Sequence, residues 1–262
     1  MQVIRYSWKD WNPVFLTSGG DAVRLFDESL CFVAGKRKCT GYARGGRRVD
    51  CPEAAETAES KCGNCMARDG FFMCIKCSGE ECLNPGRREE CKTERYFIYL
   101  SAFDSLLKVG ISQSYRLKER LVEQGADFGA KIAEVLDGKA VRLIENGISE
   151  WLGITDRVTG PEKHKRIFGD PNASVKSLLS AIGRLQNSGF NRYLVRPEIY
   201  DLRGYYRLDK VMIAPSALKV EDGTEIHGIV AAAKGNIIIL ENGGRFLSFN
   251  AHEMVGRSME AF

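Results

Sequence analysis

The sequence has no apolar run close to the roughly 20 residues a helix needs to span a bilayer. Its opening stretch, Met1 to Asp10, carries no apolar core of the signal-peptide kind. These two absences predict a cytoplasmic chain with no membrane partner, and in that reducing compartment disulfides are the wrong default for clustered cysteines. Excess charge of one sign is missing too: 38 Lys and Arg stand against 34 Asp and Glu, a net charge of +4. That balance permits a nucleic-acid partner without arguing for one. Histidine is scarce, and His164, His227 and His252 show no ligand spacing. No internal repeat or low-complexity tract is present. The length of 262 residues suits two or three small domains, or one large one.

What the chain does have is cysteine. Eight of its nine cysteines follow the spacing Cys39-x11-Cys51, then Cys62-x2-Cys65-x8-Cys74-x2-Cys77-x4-Cys82-x8-Cys91. A CxxC turn lets two thiolates reach one ion at about 2.3 Å, with backbone N–H groups supporting the sulfurs. Eight thiolates divide into two structural Zn²⁺ sites. In chain order these are Cys39, Cys51, Cys62 and Cys65, then Cys74, Cys77, Cys82 and Cys91, although an interleaved pairing is equally allowed. Four thiolates also suit an iron–sulfur cluster. A redox CxxC would need a βαβ pattern nearby, and none surrounds these cysteines. All-thiolate sites leave no open coordination position, so the metal is expected to be structural rather than catalytic. The ninth cysteine, Cys31, sits in an apolar strand pattern and is expected to be a buried core thiol.

Composition separates four regions and predicts an α+β protein. Residues 1–38 alternate in short apolar runs, Ala22 to Phe26 and Leu30 to Val33, and read as strands with a turn at Ser18-Gly19-Gly20-Asp21. Residues 39–94 are a cysteine-rich region with little periodicity, which needs a metal to order it. Residues 95–192 read as a small α/β domain. Its strands are expected at 95–101, 106–112 and 130–136, and its helices at 116–124, 139–152 and 172–185. The middle helix is the clearest, with Val141, Ile144, Ile148, Trp151 and Leu152 on one face. Asn172 or Ser174 is expected near the cap of the last. Residues 193–262 look β-rich, with short strands at Val211-Met212-Ile213, Ile229-Val230-Ala231 and Asn236 to Leu240. A hairpin turn is expected at Glu241-Asn242-Gly243-Gly244. These strands could form a small barrel that the N-terminal strands join.

One stretch suggests chemistry. Phe97-Ile98-Tyr99 is followed by Lys108-Val109-Gly110, then by a helix with Arg116 and Arg120, then by Leu143-Ile144-Glu145-Asn146. This order resembles the GIY-YIG nuclease superfamily, in which two adjacent strands carry Gly-Ile-Tyr and Tyr-Ile-Gly, one helix supplies an arginine and a later helix a metal-binding glutamate. The resemblance implies an antiparallel sheet with flanking helices. It also implies catalytic Tyr99, Lys108, Glu145 and Arg116 or Arg120, with Mg²⁺ or Mn²⁺ held at Glu145. Phe97 replaces the first glycine and Lys108 the second tyrosine, and the commonest position for the arginine falls on Lys118. The whole chain also resembles an uncharacterised prokaryotic family, on Cys39-Thr40-Gly41-Tyr42, Cys51-Pro52, Lys108-Val109-Gly110 and Glu123-Gln124-Gly125-Ala126. On chemical grounds, the arginine would balance phosphorane charge and Tyr99 would position or deprotonate a water, its pKa lowered by Lys108. Gly110 would let the backbone approach a ligand.

Lys36, Arg37, Lys38, Arg44, Arg47 and Arg48 form a run of cations with no acid among them. They are expected to contact phosphate. Gly204-Tyr205-Tyr206-Arg207, with Arg192 and Tyr193, could stack on bases or simply pack a β-hairpin. Two functions are consistent with the residues: a divalent-metal nucleic-acid phosphodiesterase on DNA or RNA, or a non-catalytic zinc-dependent RNA-binding protein.

Overall fold

The computed structural model describes residues 1–155 and 157–261. They divide into two compact units, one made of Met1–Phe72 and the chain from Tyr206 onward, the other of Met73–Tyr205. The cysteine-rich region is therefore split between units rather than forming its own. Among the described residues no helix is long and apolar enough to cross a membrane.

The first unit opens with an antiparallel sheet of β1 (Val3–Lys9), β2 (Asn12–Thr17) and β3 (Ala22–Arg24), in that order. The turn at 18–21 joins β2 to β3 as expected. Next come β4 (Ser29–Ala34), a hairpin of β5 (Tyr42–Arg44) and β6 (Arg47–Val49), and the short helix α1 (Gly63–Arg68). On β4, Leu30, Phe32 and Ala34 are buried while Cys31 is exposed. The expectation of a core thiol is thus off by one position: with a period of two, burying Leu30 and Phe32 turns Cys31 outward.

The second unit begins with α2 (Phe72–Lys76) and α3 (Arg88–Thr93). It continues through β7 (Arg95–Phe103), β8 (Leu106–Gln113), α4 (Leu117–Gln124), β9 (Phe128–Leu136) and α5 (Gly138–Leu152). The helices α6 (Gly160–Lys165) and α7 (Pro171–Gln186) and the strand β10 (Leu194–Asp201) complete it. Its antiparallel sheet runs β10-β9-β7-β8. One sheet face is apolar: Ile98, Leu100, Val109, Ala130 and Ile132 pack with Val141, Ile144, Ile148 and Leu152 of α5 and with Leu178, Ile182 and Leu185 of α7. Strand alternation places Tyr99, Ser101, Lys108 and Gly110 on the other face. There α4 sets Leu121 against Gly129 of β9. α7 is capped by Asp170, which accepts from the Asn172 amide with Pro171 at the first helical position. Asn172 thus lies near the cap as expected, while the capping side chain itself is Asp170, because the proline pre-sets the turn there.

Asp137 caps α5 through the Lys139 amide at 2.8 Å and forms a two-pronged pair with Arg88, at 2.5 and 2.6 Å. The Arg88 hydrogen bond is the main cause that holds its carboxyl below the ordinary value of 3.8, against the opposing effect of burial. A lowered carboxyl pKa stabilises the fold above the unfolded value, and that contribution is lost as pH falls through the folded one. Asp137→Asn is therefore expected to lower stability at neutral pH and to flatten the acid limb below about pH 4. Denaturant melts across pH check this; parallel wild-type and variant curves would refute it.

The chain then returns to the first unit with β11 (Ser216–Ala217), β12 (Glu225–Lys234), β13 (Ile237–Asn242), β14 (Arg245–Asn250) and β15 (Met259–Glu260). They form a six-stranded sheet in the order β11-β14-β13-β12-β4-β15, with β4 from the N-terminal region inserted between β12 and β15. It is a sheet with β11 and β15 at its edges, not a closed barrel. The hairpin turn between β13 and β14 falls at Gly243 and Gly244, both with positive φ. Val211-Met212-Ile213 is not a strand: Met212 is 81 % and Ile213 57 % exposed, and Val211 alone is buried. An apolar triplet with no pairing partner carries no strand.

Candidate functional site

Tyr99 of β7 pairs across the ladder with Gly110 of β8. A Cβ on Gly110 would sit 2.5 Å from the Tyr99 hydroxyl oxygen and 2.6 Å from its Cζ. The space that Gly110 leaves is therefore filled by the tyrosine ring and is not open to a ligand, which corrects the expectation above. Gly110→Ala is expected to push the ring aside and cost about 1–3 kcal/mol, as overpacking does. A denaturant midpoint equal to wild type would exclude this.

Tyr99 is buried, at 1 % exposure. Burial raises its pKa most, with Glu145 and Glu123 adding to the rise and Arg120 opposing it from hydrogen-bonding reach. The phenol is thus protonated at neutral pH and keeps a proton that it can donate. The expected lowering of this pKa by a neighbouring cation is not what the site produces: Arg120 opposes the rise, and burial outweighs it.

The structure separates the two arginine candidates. Arg116 is engaged by Glu123 at 3.2 Å, with Glu119 at 3.9 Å. Arg120 reaches Tyr99 and stands 3.6 Å from Glu123. Lys118, at the commonest arginine position, instead lies 5.2 Å from the Tyr205 ring centroid. Lys108 is buried on the same sheet face as Tyr99. Glu145 is half-buried on α5, where its charge acts on Tyr99. Lys163 of α6 joins the cluster: burial, then the charges of Lys108 and Arg120, lower its pKa to about 8. The sequence reading missed Glu123 and Lys163. Glu123 had a signal, lying seven residues after Arg116 and three after Arg120 on one helical face. Lys163 had none. Asn146, next to Glu145, donates to the Ser78 carbonyl at 2.9 Å and so ties the cysteine-bearing loop to α5.

Cys39, Cys51, Cys62 and Cys65 have their sulfurs within 4.8 Å of one another, so this group can hold a metal ion. A tetrahedral tetrathiolate zinc with bonds of about 2.3 Å would put its sulfurs roughly 3.8 Å apart, and Cys51 and Cys62 are 3.9 Å apart. Cys39 and Cys51 bracket the β5–β6 hairpin, Cys62 immediately precedes α1 and Cys65 lies within it. The Gly41 and Cys62 amides donate to the Cys39 sulfur at 3.4 and 3.2 Å. Burial pushes the Cys39 and Cys65 thiols up, whereas the Ala55 and Glu53 amides draw Cys51 down to about 7. Such a mixed set releases protons when metal binds.

Cys74, Cys77, Cys82 and Cys91 do not form a second group of this kind among the described residues. Their local contacts are Asn84 to Cys74 at 3.3 Å, Cys77 to the Glu81 carbonyl at 3.4 Å and Arg88 to Cys91 at 3.8 Å. Spacing alone implied two closed sites. The difference lies in the frame: hairpin and helix converge the first four, whereas the last four lie along short helical turns and loop.

The cationic run divides in the same way. Lys36 pairs with Glu56 at 3.4 Å. Arg37 is spent on the Ala58 and Glu253 carbonyls, both at 2.7 Å, and is not an exposed phosphate contact. Lys38 is exposed and bridges to Glu56 through its backbone. Arg48 pairs with Asp50 at 2.5 Å. Arg44 and Arg47 flank the Gly45-Gly46 turn, whose positive φ values at both residues suit a tight hairpin. Both arginines are exposed, with no acidic partner among the described residues. Tyr206 and Arg207 turn out to be packing residues: Tyr206 is buried edge-on to Trp8 at 5.9 Å, and Arg207 lies 4.2 Å from the Phe26 ring centroid and pairs with Asp27 at 2.5 Å.

The family described as Protein of unknown function (DUF2797) matches residues 22–258. The chain belongs to that family. The match spans both units, so the cysteine group and the Tyr99 cluster are both within it. No curated protein and no solved structure matches the chain.

Proposed function

We propose that this member of the DUF2797 family is a nucleic-acid phosphodiesterase of the GIY-YIG kind. The observation that carries the reading is the cluster of Tyr99, Arg120 and Glu145 with Lys108 and Lys163 beside it. Further support comes from two antiparallel neighbours, β7 and β8, bearing the two motifs, followed by α4 with Arg120 and α5 with Glu145.

Each residue has a part consistent with its surroundings. Tyr99, held protonated, donates a hydrogen bond that orients the attacking water or a phosphate oxygen. Arg120 meets the charge that grows on the phosphoryl oxygens, and Lys108 and Lys163 extend that field. Glu123 restrains both arginines until an anion competes for them. Arg116 is a positioning partner of Glu123. Glu145 would hold Mg²⁺ or Mn²⁺ with one carboxylate, water and substrate phosphate filling the other positions, a common arrangement for Mg²⁺. The ion would polarise the phosphate and neutralise leaving charge.

Structural zinc at the first cysteine group anchors the arginine hairpin in this reading. A second zinc at Cys74, Cys77, Cys82 and Cys91 would need those sulfurs to close together, and metal analysis giving two ions per chain rather than one would show that they do. The exposed Arg44 and Arg47 favour a second reading, a non-catalytic RNA-binding protein. Incubation with DNA and RNA substrates and Mn²⁺ or Mg²⁺ separates the two: cleavage that Glu145→Gln abolishes supports the phosphodiesterase, and salt-sensitive binding without cleavage supports the other.

A further inference from the structure

Unit one carries a groove of about 600 Å³ beside the arginine hairpin. Its lining includes Arg5 of β1, Tyr42 of β5, Arg47 and Arg48 of β6, Lys61 and His252, and no carboxylate. Two of these cations are already neutralised, Arg48 by Asp50 and Lys61 by Asp69. Arg5 and Arg47 are exposed with no acidic partner among the described residues. The rest of the lining is partly apolar, with Ile4, Leu16 and Val255 among its residues.

We propose that this groove binds unpaired nucleotides of a single strand. The ligand must satisfy two features at once, unneutralised cations and a partly apolar lining with rings. Inorganic phosphate would leave the apolar part unused, and an acidic peptide would need no rings. A nucleotide brings a phosphate for Arg5 and Arg47 and a base that stacks on Tyr42 or His252. The volume lies in the range of about 300–1,000 Å³ typical of small-molecule pockets, which gives room for a nucleotide or two. Cys39 and Cys51 sit at the base of the hairpin that forms one wall. A metal held there would fix the wall against which the strand would lie. His252, far from the cationic run in sequence, meets Tyr6 edge-on at 5.7 Å, which holds its ring at the groove.

The inference rests on the reading that the chain acts on nucleic acid, but not on cleavage. It is tested with the zinc-loaded full chain carrying Glu145→Gln, so that no probe is consumed. Fluorescence anisotropy would be read with labelled oligo-dT, oligo-rU and a hairpin duplex. Single strands are expected to bind more tightly than the duplex. Arg5→Glu with Arg47→Glu should weaken single-strand binding by about tenfold or more and lower its salt slope by about one to two. Tyr42→Ala should cost about tenfold, the order of one lost stacked base, and Tyr42→Phe should retain affinity. Zinc content and circular dichroism confirm that the variants fold. Equal affinity for duplex and single strand, no single-strand binding, or binding untouched by the arginine reversals would overturn the proposal. The two readings fail separately. Absent cleavage with groove binding intact removes only the phosphodiesterase, whereas cleavage with no effect of Arg5 and Arg47 on strand binding removes only the groove.

Discussion

Stripping metal from Cys39, Cys51, Cys62 and Cys65 is expected to unfold residues 39–72 while leaving the six-stranded sheet folded. Within 39–72 the only buried apolar residues are two of the ligands themselves, Cys39 and Cys65. Ordering a residue costs about 1–2 kcal/mol of backbone entropy, and this stretch has no apolar core to offset it. Structural zinc contributes about 10–16 kcal/mol of apparent binding energy in small metal-ordered domains, enough to hold a hairpin and a short helix. The sheet has its own core in Phe32, Ile226, Val230, Ile237, Ile238, Ile239, Leu240 and Phe249. Hydrogen exchange resolves the difference. After chelation the Gly41 and Cys62 amides, which donate to the Cys39 sulfur, should exchange as in an unfolded chain, while β13 amides stay protected. Cys65→Ala should reproduce the chelated state, and Cys31→Ser, at an exposed position, should not. Protection of 39–72 that survives complete metal removal would mean that the segment holds itself and that the site is not structural.

The parts of this protein that were legible in its sequence are those written in local patterns. α5 was readable because Val141, Ile144, Ile148 and Leu152 repeat at helical spacing and are buried together. The first cysteine group was readable because ligand spacing is itself a geometric constraint. The second group shows where spacing stops: it names ligands but not the frame that converges them. Cys31 and Leu30 look alike in an apolar run, and only the pairing of β4 with β12 decides which faces inward. That pairing joins residues about two hundred positions apart and leaves no local trace. β10 escaped notice because Pro197 and half-exposed residues blur its alternation. Arg37 belonged to the cationic run by composition, yet two backbone carbonyls claim it. At the Tyr99 cluster, motif order named Tyr99, Lys108, Arg120 and Glu145 but could not show that burial keeps the phenol protonated, or that Glu123 holds the arginines.

Arg120→Ala and Glu145→Gln are expected to abolish most phosphodiester cleavage while leaving the fold intact. Arg120 is the arginine whose charge and hydrogen bond act on Tyr99, and losing a preorganised charge donor at such a site typically lowers kcat by about 10²–10³. Arg116→Ala should do less, because its partner is Glu123. Glu145→Gln keeps the side chain's shape but removes the carboxylate charge, so cleavage should fall toward background in Mn²⁺ and in Mg²⁺ alike. Tyr99→Phe keeps the ring over Gly110 and removes only the donor, so stability should hold while the rate drops. The pH profile adds a readout that packing would not move. A buried, protonated Tyr99 acting as donor gives no rising limb toward the ordinary phenol value of about 10, whereas a tyrosinate base would make the rate climb through it. Wild-type rates in Arg120→Ala and Glu145→Gln would end the phosphodiesterase reading. If Arg116→Ala proved the more damaging arginine change, the charge that meets the phosphate would belong to Arg116, and Glu123 would have to release it when substrate binds.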